Sequence, residues 1–206
     1  MKAIDLGLSS GLKWADCNIG AEKESDYGLY FQWGDTVGYP DASHSTWETC
    51  PGNGGSKCFD LTSTSKWDGA NLNHRGWDMR DLNNGVLMPE VDAAYAHLGS
   101  EWRMPTIYEM VELYENTTNE VVEINGVIGM KFINKEDASK YIFFPFAGYA
   151  DEGRFYCRGL EGFWWSSSDF IVSDGSAYGL LAVEAGAGSS VGERRIAFSV
   201  RRVKNT

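Results

Sequence analysis

The side chains most able to do chemistry in this sequence are its four cysteines, Cys17, Cys50, Cys58 and Cys157. Cysteines form disulfides, bind zinc or act as nucleophiles, and an even count permits two disulfides without fixing their pairing. Cys50 and Cys58 flank the flexible stretch PGNGGSK, which would let them meet. His44 is near enough to suggest zinc, but the spacing is not CxxC and no second ligand pair follows. Disulfides and free buried thiols both stay open, and we expect no metal site.

Motifs for catalysis and phosphate binding are missing from the sequence. PGNGGSK resembles a phosphate-binding loop, but Ser56 stands where GxxxxGK[ST] needs glycine, and Cys58 stands where it needs a hydroxyl. The three histidines are scattered, and neither GxSxG, HExxH nor an EF-hand calcium loop occurs. Carboxylates are numerous, yet no pair stands out as an acid and a base. We therefore expect neither a catalytic residue nor a cofactor.

Charge and hydropathy narrow the classes of partner. The formal net charge of −11 opposes binding to the phosphate backbone of nucleic acids. No apolar run approaches the roughly 20 residues that span a membrane. The N-terminal stretch MKAIDLGLSSGLKW lacks the pattern of a signal peptide, because Asp5, Gly7 and Ser9 interrupt its apolar residues. Aromatic residues make up 14% of the chain, enough for a large core and for contact surface as well.

The middle of the chain predicts two helices and a hairpin. VDAAYAHLG indicates a short helix that ends at its glycine. Thr106 and Glu109 form a capping box, which predicts a second helix over about 106–115. Asn125 and Gly126 separate two apolar runs and are typical of a type I′ hairpin turn. KYIFFPFAGY predicts a further strand, bent or ended by its proline.

Both ends of the chain have strand-like sequence, so the prediction is an α+β fold in which the terminal strands pair. Ile196–Val203 alternates apolar and polar residues and predicts one of these strands. Residues 35–90 form a long irregular insertion, rich in small polar residues and punctuated by tryptophans. We expect one domain over 1–206. The apolar phase of each element predicts a core that includes Trp102, Ile107, Val111, Phe144, Phe146, Phe198 and Val200.

Six phrases, in order along the chain, resemble a known family. They are IDLGLSSGLKWADCNIGA, DYGLYFQWGD, WRMPT, FPFAGY, GFWWSSS and AFSVRRV. Together they resemble the Fibrobacter succinogenes major paralogous domain of Bacteroidetes, whose closing phrase has a proline where Arg202 stands here. The resemblance covers most of residues 3–34 and 88–203. It implies a variant of the C-type lectin fold, similar to formylglycine-generating enzymes and to the variable proteins of diversity-generating retroelements, with the ligand surface on a small antiparallel sheet.

The resemblance also implies a binding surface. In such variable proteins, displayed positions lie between a WSS phrase and the closing strand, and Trp164 and Trp165 would back them. Ala177, Leu180, Gly186 and the strand from Ala197 would then be scaffold. The displayed ligand-binding positions would be Gly179, Leu181, Val183, Glu184, Ala185, Ala187, Ser189, Ser190, Gly192, Glu193, Arg194 and Ile196. The alternative is an ordinary glycine-rich hairpin.

We therefore expect a ligand-binding module without catalysis, exposed on a cell surface, secreted or carried on a virion. Arg194 and the nearby aromatics favour a protein partner, because such residues anchor protein interfaces. A glycan stays possible, although the calcium-dependent lectin motifs EPN, QPD and WND are absent. One alternative is an oxidoreductase similar to the formylglycine generators, for which Cys157 is the one cysteine in the relevant region. Another is a passive structural domain of a surface or virion protein.

Overall fold

The computed structural model describes residues 2–51, 80–81, 85–170, 172 and 175–205. In these residues the fold is α+β, with many short strands and two α-helices, α1 (Ala93–Leu98) and α2 (Ile107–Asn116). The strands are β1 (Ala3–Asp5), β2 (Lys13–Ala15), β3 (Tyr30–Phe31), β4 (Arg80–Asp81), β5 (Val86–Leu87), β6 (Thr117–Ile124), β7 (Val127–Asn134), β8 (Tyr141–Pro145), β9 (Tyr149–Asp151), β10 (Arg154–Tyr156), β11 (Gly162–Asp169), β12 (Ser176–Val183), β13 (Gly186–Glu193), β14 (Phe198–Ser199) and β15 (Val203–Lys204).

The strands form one large sheet and three smaller ones. The large sheet has the order β13-β12-β11-β14-β3, and β5 attaches β4 to β11. β1, β2 and β15 form a second sheet, in which Val203 lies opposite Trp14. This pairing confirms the expectation that the two ends of the chain join. β6, β7 and β8 form an antiparallel meander, and β9 pairs with β10.

The local signals around α2 and the central hairpin are confirmed. The Thr106 hydroxyl accepts a hydrogen bond from Glu109 N at 3.3 Å, and the Glu109 carboxylate accepts one from Thr106 N at 2.8 Å. This reciprocal cap starts α2 one residue later than the sequence suggests. In the hairpin, Asn125 and Gly126 have φ angles of 54° and 80°, as a type I′ turn requires.

The expected strand Ile196–Val203 is wrong as a single element. β14 ends after Ser199 and belongs to the large sheet, whereas β15 belongs to the sheet of the chain ends. Arg201 lies between them with a fully buried side chain. Its guanidinium donates hydrogen bonds of 3.0 and 2.8 Å to the carbonyls of Ala15 and Phe143. The chain therefore changes sheets at a buried arginine, which the alternating pattern does not reveal.

Two main hydrophobic clusters form the core. The first packs α2 against β7, β8 and the large sheet, with Trp14, Phe132, Phe144, Trp164 and Leu180 completely or almost completely buried. The second lies on the other side of that sheet, around Trp33, Trp165 and Phe198. The predicted core is confirmed for Trp102, Ile107, Phe144, Phe146, Phe198 and Val200, while Val111 is half-buried at the margin of the first cluster.

The predicted insertion at 35–90 lies largely outside the described residues, since 52–79 and 82–84 are among those not described. Its described parts are mostly irregular, with the short strands β4 and β5 and one turn of 3-10 helix at Pro89–Val91. Cys50 is disulfide-bonded, whereas Cys17 and Cys157 are free thiols. Cys58 lies outside the described residues.

No helix in the described residues combines the length and apolar character needed to cross a bilayer.

Candidate binding face

Residues 176–193 form a regular hairpin, with β12 and β13 paired along their whole length. Glu184 and Ala185 make the turn, and both are exposed. Neighbouring residues of a strand point to opposite faces of a sheet. The positions expected to be displayed are therefore divided between two faces with different surroundings.

One face of the hairpin belongs to the core. Leu180 and Ala182 are completely buried in the first cluster. Ala187 lies opposite Ala182 and packs against the same cluster, so its expected display is wrong in part. α2 covers this face, because it contacts β11, β12 and β13.

The other face is open near the turn. Phe163 of β11 lies beside Leu181 of β12, which lies beside Gly188 of β13. Phe163 and Leu181 are half-buried, as is Val183, which is on the same face. A Cβ atom built on Gly188 would meet no atom of the described residues within 4 Å. An aromatic side chain, an aliphatic side chain and a glycine without a side chain thus lie next to one another at the surface.

Two tyrosines from β9 and β10 extend this surface. The Tyr149 ring packs edge-on against Phe163, with 5.1 Å between centroids, and stacks on Tyr156 at 5.3 Å. Tyr156 is 39% exposed. Tyrosine offers a large rigid contact area and a hydroxyl at its edge. We use "the open face" for Tyr149, Tyr156, Phe163, Leu181, Val183 and Gly188.

The same side of the sheet is closed further from the turn. Trp165 stacks on Phe198 with 4.1 Å between centroids. A Cβ atom on Gly192 would lie 2.8–2.9 Å from atoms of these two rings, so Gly192 packs against them rather than standing free. Trp164 and Trp165, which are expected to back the displayed positions, are both completely buried, so neither can contact a ligand directly. They support the open face from beneath.

Gly179 and Ser190 lie opposite each other between the open and closed parts. Gly179 is buried, and a Cβ atom there would come within 2.7 Å of the Trp164 carbonyl oxygen. Gly179 is therefore scaffold, and its expected display is wrong. The hydroxyl oxygen of Ser190 is buried and has no hydrogen-bond partner in the described part of the chain.

Arg194 is the clearest departure from expectation. The sequence suggests an exposed anchor, yet its side chain is 1% exposed and forms an ion pair with Asp169 of β11. Its Nε donates a 3.1 Å hydrogen bond to the Ser176 carbonyl, and its guanidinium lies 4.4 Å from the centroid of the Trp33 ring. Arg194 therefore fixes the hairpin and is unavailable to a partner.

The remaining predicted positions differ in exposure. Ser189 and Glu193 are exposed, whereas Ile196 is half-buried and packs against the second cluster. Arg195 is held beside the open face by carboxylates: its Nε donates a 2.8 Å hydrogen bond to Glu193, and its NH1 contacts Asp151. The border of the open face near β9 therefore carries several charged side chains that are paired with one another.

The two free thiols in the described residues, Cys17 and Cys157, are held in their protonated form. Burial, with help from Glu161, raises the pKa of the Cys157 thiol above its ordinary value, so the reactive thiolate is disfavoured. Burial raises the pKa of Cys17 as well. The zinc alternative around His44 and Cys50 is wrong, because the disulfide occupies the Cys50 sulfur. The described residues also lack any group of three or more His, Cys, Asp or Glu placed to hold a metal ion.

A separate cavity of about 1000 Å³ lies between β5, α1 and the start of α2. Trp102 and Tyr108 line it. Of its charged side chains, Arg103 pairs with Glu109 and Lys204 pairs with Glu101. The Asp92 carboxylate accepts hydrogen bonds from the backbone N–H groups of Ala94, Tyr95 and Met104. The Asp92 carboxylate is therefore committed to the fold. The concave shape of the cavity suits a small molecule, whereas the open face is the candidate for a macromolecular partner.

Sequence reasoning missed four residues of the open face. Phe163 precedes Trp164 in the GFWWSSS phrase. Because neighbouring residues of a strand point to opposite faces, a buried Trp164 could have indicated that Phe163 lies on the other face. Gly188 carries no signal, because a glycine looks the same whether it faces solvent or a ring. Tyr149 and Tyr156 come from the β9–β10 hairpin, and their rings reach this face through contacts that their own segment does not reveal.

Comparisons with known proteins leave this face unassigned. Neither protein-family models, nor curated proteins, nor solved structures match the chain. Its function therefore has to be inferred from the geometry of the face.

Proposed function

We propose that this chain is a non-catalytic recognition module that binds a partner protein through the open face. The observation that carries the proposal is the row Phe163–Leu181–Gly188, in which partly exposed apolar side chains adjoin an empty position. Tyr149 and Tyr156 add rings at its border. Aromatic anchors on a broad surface are typical of protein interfaces.

A rigid support beneath the face favours this role. The indole N–H of Trp165 donates a 2.8 Å hydrogen bond to the Phe31 carbonyl, and that of Trp164 donates one of 3.2 Å to the Asn18 side chain. Both rings are locked in the core. A surface on such a base loses little conformational entropy when it binds, and so more of its contact energy appears as affinity.

The chemistry of the face favours a protein over a glycan. Leu181 and Val183 are aliphatic, and burying them on a protein surface is favourable. A glycan would need several polar groups pointed at its hydroxyls, and the open face itself offers only the two tyrosine hydroxyls. We therefore expect binding to be insensitive to calcium chelation.

The finer fold is also a proposal. A C-type lectin-like variant is supported by the paired chain ends, the two helices and the antiparallel hairpin bearing the open face. We infer in addition that the hairpin is a diversified segment, as in the retroelement proteins that the sequence resembles. Sequencing the encoding locus tests this: a reverse transcriptase gene beside a near-copy of the hairpin codons is expected, and an isolated gene would contradict it.

Binding itself is tested with a pair of tyrosine variants. Wild-type protein and the Tyr156→Ala and Tyr108→Ala variants are assayed by biolayer interferometry against panels of immobilised proteins and glycans. Tyr108 is 82% exposed but lies on α2, away from the open face, which makes it a matched control. We expect a protein ligand whose binding is lost in Tyr156→Ala and kept in Tyr108→Ala. Loss in Tyr108→Ala alone, or glycan ligands only, would refute the proposal.

A further inference from the structure

The outer edge of β13 leaves backbone groups without partners in the part of the chain that the structure describes. In the described residues β13 pairs with β12 alone and ends the strand order of the large sheet. Val183 and Gly186 form the hydrogen-bonded pair next to the two-residue turn, and such pairs alternate along antiparallel strands. The N–H and C=O groups of Ala187, Ser189 and Val191 therefore point away from β12. None of them has a backbone partner among the described residues.

This edge lacks the usual devices against pairing. Natural edge strands discourage added strands with charges, proline or a bulge. From Gly186 to Gly192, β13 has no charged residue, no proline and no shift of register with β12. Its largest side chain in that range is Val191, which is 46% exposed. The side chains of β13 itself therefore place neither charge nor large bulk against an added strand.

The surroundings of the edge are acidic. Glu184 is exposed at the turn, and Glu193, at the other end of β13, is 51% exposed in its side chain despite its ion pair with Arg195. α2 and β6 both contact β13, and they contain five glutamates but neither lysine nor arginine. Glu109 is paired with Arg103 and Glu112 accepts hydrogen bonds from Ser9 and Ser10, which leaves the other three carboxylates for a basic partner. A second copy of this chain would bring the same charge, −11 in total, against itself. A basic strand fits better.

We propose that β13 binds an extended basic segment of a partner protein as an added strand of the large sheet. Main-chain hydrogen bonds to Ala187, Ser189 and Val191 would supply affinity, and lysine or arginine side chains on the added strand would meet the surrounding carboxylates. This recognition uses the strand edge rather than the open face. It can hold whether or not the open face binds its own partner.

The test uses a fluorescent peptide of alternating lysine and valine, as long as β13, with binding measured by anisotropy. A peptide of alternating lysine and proline has the same charge but cannot pair as a strand. Ser189→Pro removes one outward N–H without touching the bonds to β12, and Ser189→Ala is its matched control. We expect the lysine–valine peptide to bind wild-type and Ser189→Ala equally, and Ser189→Pro about tenfold more weakly or worse. Amide exchange at Ala187, Ser189 and Val191 should slow on binding.

Several outcomes would overturn the proposal. Equal binding of the lysine–proline peptide would mean that charge alone attracts the ligand, and equal binding by Ser189→Pro would mean that the edge is not used. Equal binding of a glutamate–valine peptide would remove the argument from charge. Loss of peptide binding in Tyr156→Ala would place the peptide on the open face instead. If circular dichroism shows Ser189→Pro unfolded, Ser189→Lys replaces it, since a lysine at the edge should repel the same peptide.

Discussion

Asp169 and Arg194 form an ion pair that is almost completely shielded from water, with side chains 2% and 1% exposed. Asp169 ends β11 and Arg194 follows β13, so the pair joins two strands across the end of β12 between them. The Nε bond from Arg194 to the Ser176 carbonyl ties the start of β12 to the same point. The buried ion pair thus fixes the β12–β13 hairpin at the end that lies away from its turn.

Arg194→Met should lower the free energy of unfolding by about 3–5 kcal/mol, because it leaves the Asp169 carboxylate buried without its cation. Urea unfolding followed by tryptophan fluorescence measures the loss. Arg195→Met is the control: Arg195 is 15% exposed, its carboxylate partners reach solvent, and we expect a loss of about 1 kcal/mol or less. Equal losses for the two variants would contradict a special role for the buried pair.

Gly188→Ala and Gly192→Ala should differ although they make the same change on the same strand. The new methyl group at position 188 enters open space, so the stability change should stay within about 0.5 kcal/mol. At position 192 it would overlap the rings of Phe198 and Trp165 and cost about 1–3 kcal/mol. Thermal melts of both variants measure this. Equal melting temperatures would mean that the two positions are not on open and closed parts of one face.

Substitutions on the open face should be tolerated where core substitutions are not. Val183→Tyr combined with Glu184→Asn changes one half-buried residue and one exposed residue, so it should shift stability by about 1 kcal/mol or less. Phe198→Ala removes a ring that stacks on Trp165 and should cost about 3–5 kcal/mol. Chemical denaturation compares the two. A double variant as unstable as Phe198→Ala would show that the face is part of the core.

Glu112 should make stability depend on pH at the acidic end. Burial opposes ionisation, but hydrogen bonds from Ser10 and Ser9, at 2.8 and 2.6 Å, outweigh it and hold the pKa of Glu112 below its ordinary value. A carboxyl with a lower pKa in the folded state stabilises above its unfolded pKa, and the stabilisation disappears as the pH falls through the folded pKa. Wild-type should therefore exceed Glu112→Gln in stability at neutral pH, and this advantage should shrink below about pH 4.3. A difference that does not change with pH would contradict this.

Cys157 should alkylate slowly. Its pKa is raised by burial and by Glu161, so less of it is thiolate at neutral pH than in an unfolded chain. We expect iodoacetamide to modify it more slowly in the folded protein than in urea-unfolded protein at the same pH, measured by mass spectrometry. Cys157→Ser should leave partner binding unchanged. Faster reaction in the folded state would favour the oxidoreductase alternative.

Rules that act over a few residues predicted much of this fold. Thr106 and Glu109 meet because one helical turn brings them together. Asn125 and Gly126 accept positive φ because asparagine tolerates the left-handed region and glycine has no Cβ atom to clash there. The apolar run around Phe144 predicts the buried strand β8 from its composition alone. In each case the physical cause lies within the segment itself.

The candidate face depends on contacts that no short segment contains. β13 is built from glycine, alanine and serine, which have no alternating pattern, so its regular pairing comes from the turn and from β12. Arg194 looks like a surface charge until Asp169, 25 residues earlier in the chain, is seen beside it. Ile196 begins a convincing alternation, but buried Arg201 interrupts the strand for reasons of tertiary packing.

β14 lies between β11 and β3, parallel to the first and antiparallel to the second. Phe198 therefore pairs with Phe31, a partner made long before it during synthesis. Closing so long a loop costs entropy that later contacts must offset, which slows folding. During synthesis, β3 and β11 are made before β14, the strand that lies between them. Until β14 is added, the aromatic rings of the second cluster would stay exposed to solvent. The nascent chain should accordingly be a substrate for chaperones until β14 emerges.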